Sequence, residues 1–132
     1  MRISFDFDDT LLQTLPDEDS FLVEGGPNEA MLDLLRAHAA AGDEVFIVTS
    51  RFPDNLRSSN RTKVADFVAT HALPVKAIVF TAGQLKVEAI VALGVEKHFD
   101  DDIDELIPLP WPIQGVLVAL HPAWGSVGTP VA

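Results

Sequence analysis

The chain has no cysteine, few basic residues and no long apolar run, and each absence closes a class of function. Without cysteine, disulfide frameworks, thiolate zinc sites and cysteine nucleophiles are excluded. Nine Lys+Arg stand against twenty Asp+Glu, giving a formal charge of −11 and a pI near 4.5. That balance disfavours a protein whose main task is gripping long nucleic acid through its phosphates, and an anionic membrane surface for the same reason. No apolar stretch approaches the ~20 residues of a membrane span. Met1-Arg2-Ile3-Ser4-Phe5-Asp6 enters strand-like sequence directly, with no secretory-type segment, so a soluble cytoplasmic protein is expected. There is no internal repeat and no low-complexity linker. The 132 residues, 48% hydrophobic and 22% charged, match one globular domain spanning 1–132.

What is present is an alternation of strand and helix patterns. Ile3, Phe5 and Phe7 mark a buried strand over 2–7. Residues 8–26 read as a hairpin-like flap around Pro16-Asp17-Glu18-Asp19-Ser20. Pro27 suits a first helical position, followed by Ala30, Met31, Leu34, Leu35 and Ala39 at helical spacing and Gly42 as a stop. Val45-Phe46-Ile47-Val48 is a strand buried on both faces. A helix from about Ser59, the strand Ala77–Phe80, a helix over Gly83–Leu93 and a strand over Val95–Phe99 follow. A short helix near Asp104–Ile107, halted by Pro108, precedes the strand Val116–Ala119, and the tail 120–132 reads as irregular. The expected fold is a three-layer α/β/α sandwich on a mostly parallel five-stranded sheet.

Such sheets place ligands beyond the carboxyl ends of their strands, and the polar residues gather there. Asp6, Asp8 and Asp9 end strand one, Thr49, Ser50 and Arg51 end strand two, and Asp100, Asp101 and Asp102 end strand four. Lys86 opens the helix after strand three. Individually these are ordinary turn and cap residues. Together, carboxylates converging on one sheet edge repel each other, at a cost that rises in a low-dielectric cleft. A bound hard cation, Mg²⁺ foremost, removes that cost. Two carboxylates spaced like Asp6 and Asp8 project to one side of an extended chain. One can attack phosphorus while the other moves protons.

Ser4-Phe5-Asp6-Phe7-Asp8-Asp9-Thr10-Leu11-Leu12 resembles the first motif of the haloacid-dehalogenase-like (HAD) hydrolases. Val45-Phe46-Ile47-Val48-Thr49 resembles the second, Lys86 the third, and His98-Phe99-Asp100-Asp101 with Glu105 the fourth, all in the family's order. The resemblance implies a Rossmann-like phosphatase core with Asp6 as nucleophile and metal ligand. It implies Asp8 as general acid and base, with its backbone carbonyl on the metal. Thr49 and Lys86 would hold the phosphoryl group, with Ser50 and Arg51 beside them, and Asp101 would be the metal ligand of the acidic pair. Asp100 and Asp102 are its alternatives. The presence of Asp8 favours phosphate-ester hydrolysis over dehalogenation.

Neither gap between these motifs can hold a cap domain, so the site is expected to be open. The expected substrate is a small phosphomonoester, a nucleotide by resemblance to small capless nucleotidases; a polynucleotide end, as in 3′-phosphatase domains, or a protein is the alternative. Arg51, Arg57, Arg61 and Lys63 supply four of the nine basic residues between positions 51 and 63, a positive lip for anionic substrates. Trp111, between prolines, reads as packing; Trp124 is a second candidate for stacking on a base. His38, His71, His98 and His121 show no ligand spacing. A phospho-acceptor domain would carry its aspartate after the third strand, where this chain has Phe80-Thr81-Ala82-Gly83. A silent scaffold would not need Asp6, Asp8, Thr49, Lys86 and Asp101 together.

Overall fold

A computed structural model gives the fold and describes residues 1–16, 22–53, 61–118 and 129–131. Strands β1 (Arg2–Phe5), β4 (Glu44–Thr49), β5 (Ala77–Phe80), β6 (Lys97–Asp100), β7 (Gln114–Leu117) and β8 (Thr129–Val131) form one sheet in the order β5-β4-β1-β6-β7-β8. Five of them run parallel, and β8 pairs antiparallel with β7. The five-stranded parallel sheet is the expected one. The sixth strand falls in the tail read as irregular, while 119–128 and 132 lie outside the described residues. Thr129-Pro130-Val131 is too short to carry a hydrophobic period, and its proline sits on an edge strand, where a missing donor is tolerated.

Strand β4 shows why the sheet is covered on both faces. Val45 and Ile47 pack with Ile3, Phe5 and Phe99, against Met31, Leu32 and Leu35 of α1 (Glu29–Ala40) and Val64 and Phe67 of α2 (Val64–Thr70). Phe46 and Val48 point the other way, toward Ile90 of α3 (Val87–Ala92) and Val95. Alternate side chains of a strand face opposite layers, so a continuous apolar run is what this position requires.

The elements are shorter than their sequence patterns. Strand β1 stops at Phe5, although Phe7 is fully buried, because the chain there turns: the amides of Thr10, Leu11 and Leu12 all donate to the Phe7 carbonyl. Pro27 ends β3 (Leu22–Pro27), and Asn28 holds the N-cap position of α1, so the helix starts two residues later than the proline suggests. Helix α3 starts at Val87; Gly83, at φ +83°, belongs to the preceding turn. A start near Ser59 for α2 falls on 54–60, outside the described residues. Strands β2 (Leu12–Pro16) and β3 form the expected antiparallel hairpin. Trp111 does not pack: it is 92% exposed, because its flanking prolines hold it in a turn rather than in an element that could bury it. No helix among the described residues is long and apolar enough to cross a membrane.

Candidate active site

The chain runs outward from β1 through β4 to β5, then returns to the other side of β1 for β6. The crevice of such a sheet opens at that reversal, at the carboxyl ends of β1, β4 and β6. Asp6, Thr49 and Asp100 stand at those three ends.

Pairing in register places Ser4 beside His98. With the period of two along each strand, Ser4 and Asp6 share a face with His98 and Asp100. The Ser4 hydroxyl and His98 Nδ1 share a 2.6 Å hydrogen bond, and His98 Nε2 lies 2.8 Å from Asp100 Oδ2, all fully buried. Burial pushes the His98 imidazole below its usual range, so the ring is neutral. The network then assigns the Ser4 hydroxyl as donor to Nδ1 and the Nε2–H as donor to the carboxylate.

Lys86 reaches this face from the start of α3. Its ammonium lies 2.7 Å from Asp6 Oδ1 and 2.6 Å from Asp100 Oδ2 and is only 3% exposed. Burial disfavours the ammonium, but the two carboxylates outweigh it, and Lys86 is held above its usual range as a permanent cation. Asp100, raised by burial but lowered more by the His98 hydrogen bond and Lys86, is held below the ordinary carboxylate range. Asp6 goes the other way. Burial first, then the neighbouring Asp100 charge, raises it well above that range. Asp101 is likewise pushed up to about 6, chiefly by burial.

Asp6, Asp100 and Asp101 each offer an oxygen within 4.8 Å of the others. Ionised together, the three carboxylates against one ammonium would leave two negative charges uncompensated in a buried corner. Asp6 and Asp101 both hold their protons more tightly than ordinary carboxylates, and carboxylate oxygens crowded in this way suit a small hard cation in place of a proton. Asp100 Oδ2 already accepts from Lys86 and His98, and its Oδ1 accepts from the Asp102 amide. Asp102 instead caps α4 (Ile103–Leu106), accepting from the Asp104 amide at 2.9 Å, and stands outside the carboxylate cluster.

Asp8 departs from the sequence-based expectation. Because the strand ends at Phe5, Asp8 does not project beside Asp6 from an extended chain, and its carboxylate is not part of the cluster. Its Oδ2 accepts from Arg51 Nε at 2.8 Å and its Oδ1 from Arg51 Nη2 at 2.7 Å. Arg61 Nη2 adds a third contact at 3.2 Å. Arg51 Nη1 also donates to the Thr62 carbonyl, and its guanidinium sits over the Phe7 ring, 4.8 Å from the centroid. The Thr62 amide in turn donates to Glu24 of the hairpin.

Thr49 is buried, and its hydroxyl accepts from the Arg51 amide at 3.2 Å. Ser50 is exposed. Lys63 stands at the N-cap position of α2 without a side-chain capping bond, and Arg57 lies outside the described residues. Two contributors lie within the stretch that resembles the fourth motif but carry no role in the sequence reading. His98 has no ligand spacing, and only its place two residues before Asp100 on a strand marks it. Glu105, buried, accepts the Lys86 amide at 2.9 Å, tying α4 to the start of α3; a carboxylate 19 positions away gives no local signal. No family model matches this chain, and no curated protein matches it.

Proposed function

We propose that the chain is a Mg²⁺-dependent phosphomonoester hydrolase with a capless, HAD-like core, acting through an aspartyl-phosphate on Asp6. The observation that carries this reading is Lys86 bridging Asp6 and Asp100 in a buried corner, with Asp101 completing a carboxylate cluster. Asp6 and Asp101 would hold the cation, together with the Asp8 backbone carbonyl that the HAD resemblance implies. When bound, the cation neutralises charge on the transferring phosphoryl oxygens.

The chain's own groups divide the remaining work. An Asp6 carboxylate oxygen attacks phosphorus, forming the acyl-phosphate bond as the ester P–O bond breaks. The leaving oxygen takes a proton from Asp8. Asp8 then takes a proton from the water that attacks the phosphoenzyme, and inorganic phosphate departs. Lys86 and Thr49 hold the phosphoryl oxygens through the transfer. The polar crevice and the net charge of −11 favour a small substrate, a nucleotide above all. The arginines at its rim keep a nucleic-acid end as the second substrate class.

Hydrolysis of an aryl phosphate tests the reading. Turnover should require Mg²⁺ and fall at least about a thousandfold in Asp6→Asn, since loss of a nucleophile removes the covalent route. Metal-independent turnover that survives the substitution would overturn it.

A further inference from the structure

The arrangement around Asp8 serves neither of that residue's expected roles. Both oxygens of its carboxylate are engaged by arginine nitrogens, so neither faces a leaving group. Two guanidinium groups converge on this one carboxylate, an excess of positive charge in an acidic protein. Arg51 is also fixed independently of Asp8. Its Nη1 is anchored on the Thr62 carbonyl and its plane lies against the Phe7 ring. If Asp8 moved away, the fork would stay in place with its Nε and Nη2 donors open. A planar two-donor fork fits phosphate oxygens as well as carboxylate oxygens.

We propose that Arg51 and Arg61 form an anion cradle that Asp8 fills in the free protein, and that a second anionic phosphoryl group on the substrate displaces it. The displaced carboxylate is then free to meet the leaving oxygen. This inference rests on the phosphatase reading for what Asp8 does next, but not for the binding itself. It narrows the substrate class to phosphomonoesters that carry another phosphate nearby, either a nucleoside bisphosphate or the phosphorylated end of a strand. A nucleoside monophosphate leaves Asp8 in the cradle and is a poor ligand and a poor substrate.

Calorimetric titration of the Asp6→Asn protein in Mg²⁺ buffer tests the proposal without turnover. The ligands are a nucleoside 5′-monophosphate, a nucleoside 3′,5′-bisphosphate and a 3′-phosphorylated dinucleotide. If Asp6→Asn does not fold, the wild type in chelator takes its place. At least one of the two ligands with a second phosphate group should bind about tenfold or more tighter than the monophosphate, as expected for charge-assisted bonds to that group. Whichever of the two binds tighter identifies the source of the second phosphate.

Adding Arg51→Ala should erase that preference, and Arg51→Lys, which keeps the charge without the fork, should restore only part of it. Adding Asp8→Asn should instead strengthen binding of the ligands with two phosphate groups, because the occupant has lost its charge. A merely structural Arg51–Asp8 pair predicts no such gain. Equal affinities for all three ligands, or unchanged or weaker binding in Asp8→Asn, overturn the proposal. Metal-dependent hydrolysis of the aryl phosphate by the wild type is read separately. Its failure alone removes the phosphatase reading and leaves the cradle standing.

Discussion

At the scale of single residues, the chain of contacts from Ser4 through His98 and Asp100 to Lys86 and Asp6 is buried throughout. Ser4 illustrates this. Its hydroxyl is the donor to His98 Nδ1, and the next link is Asp100, which holds Lys86. Ser4→Ala leaves a buried ring nitrogen without a partner, a cost of about 1–3 kcal/mol. Equilibrium urea unfolding should show that loss as a lower midpoint at unchanged slope; an unchanged midpoint would mean the hydroxyl is not the donor. Asp6, Lys86 and Thr49 are legible in the sequence because each sits at the carboxyl end of a strand or the start of a helix, where composition is informative. Ser4 and His98 are not, since a serine and a histidine inside a strand have many ordinary uses. Their pairing emerges only from the β1–β6 register. The placement of Asp8 beside Asp6 is misjudged for another reason: the expectation took the strand to continue past Phe5, and three amides folding back on the Phe7 carbonyl end it there.

At the scale of elements, α3 is only six residues long and has no side-chain cap of its own at Lys86. Its start is held from outside, by Glu105 of α4 accepting the buried Lys86 amide. Glu105→Ala should therefore cost about 1–3 kcal/mol by orphaning that N–H. Glu105→Gln, which keeps an acceptor oxygen at the same place, should retain most of the stability. Thermal melts of the two variants check this, and equal losses would contradict the capping role. The helices α1 and α2 and the strand β4 are readable from periodicity because they bury a face against a large layer. The boundaries of α3 are not, because its limits are set by a partner far along the chain, and Gly83 and Leu85 mimic a helical start while lying in a turn.

At the scale of the whole molecule, the carboxylate corner couples proton, cation and fold. Asp101 is raised to about 6 and Asp6 is raised as well. Both hold protons more tightly folded than unfolded. Their contribution to stability is therefore fully present below the ordinary carboxylate pKa of about 4; that of Asp101 is lost as pH rises through about 6, and that of Asp6 as pH rises through its own raised pKa. Asp100, whose pKa is lowered, contributes in the opposite sense, above the ordinary range. A cation that competes with protons for these carboxylates should raise the melting temperature clearly at pH 8 and hardly at pH 5. Its apparent affinity should weaken about tenfold per pH unit below 6, if one proton competes. Melting curves with and without Mg²⁺ at both pH values decide it; equal increments would show that the cation does not use these carboxylates. The parallel sheet was readable because β-α alternation admits few connections, whereas β8 was not, being held by its neighbour rather than by any pattern of its own. The strand order also has a consequence for biosynthesis. Asp6 emerges early, yet its ammonium partner lies 80 positions downstream, and Ser4 waits 94 positions for His98. A nascent chain that has completed β5 holds one flank of the crevice and none of the repulsion, because the opposing acids have not yet been translated. The electrostatic burden of the centre thus falls on the final closure of β6 against β1, after most of the apolar layer is already in place.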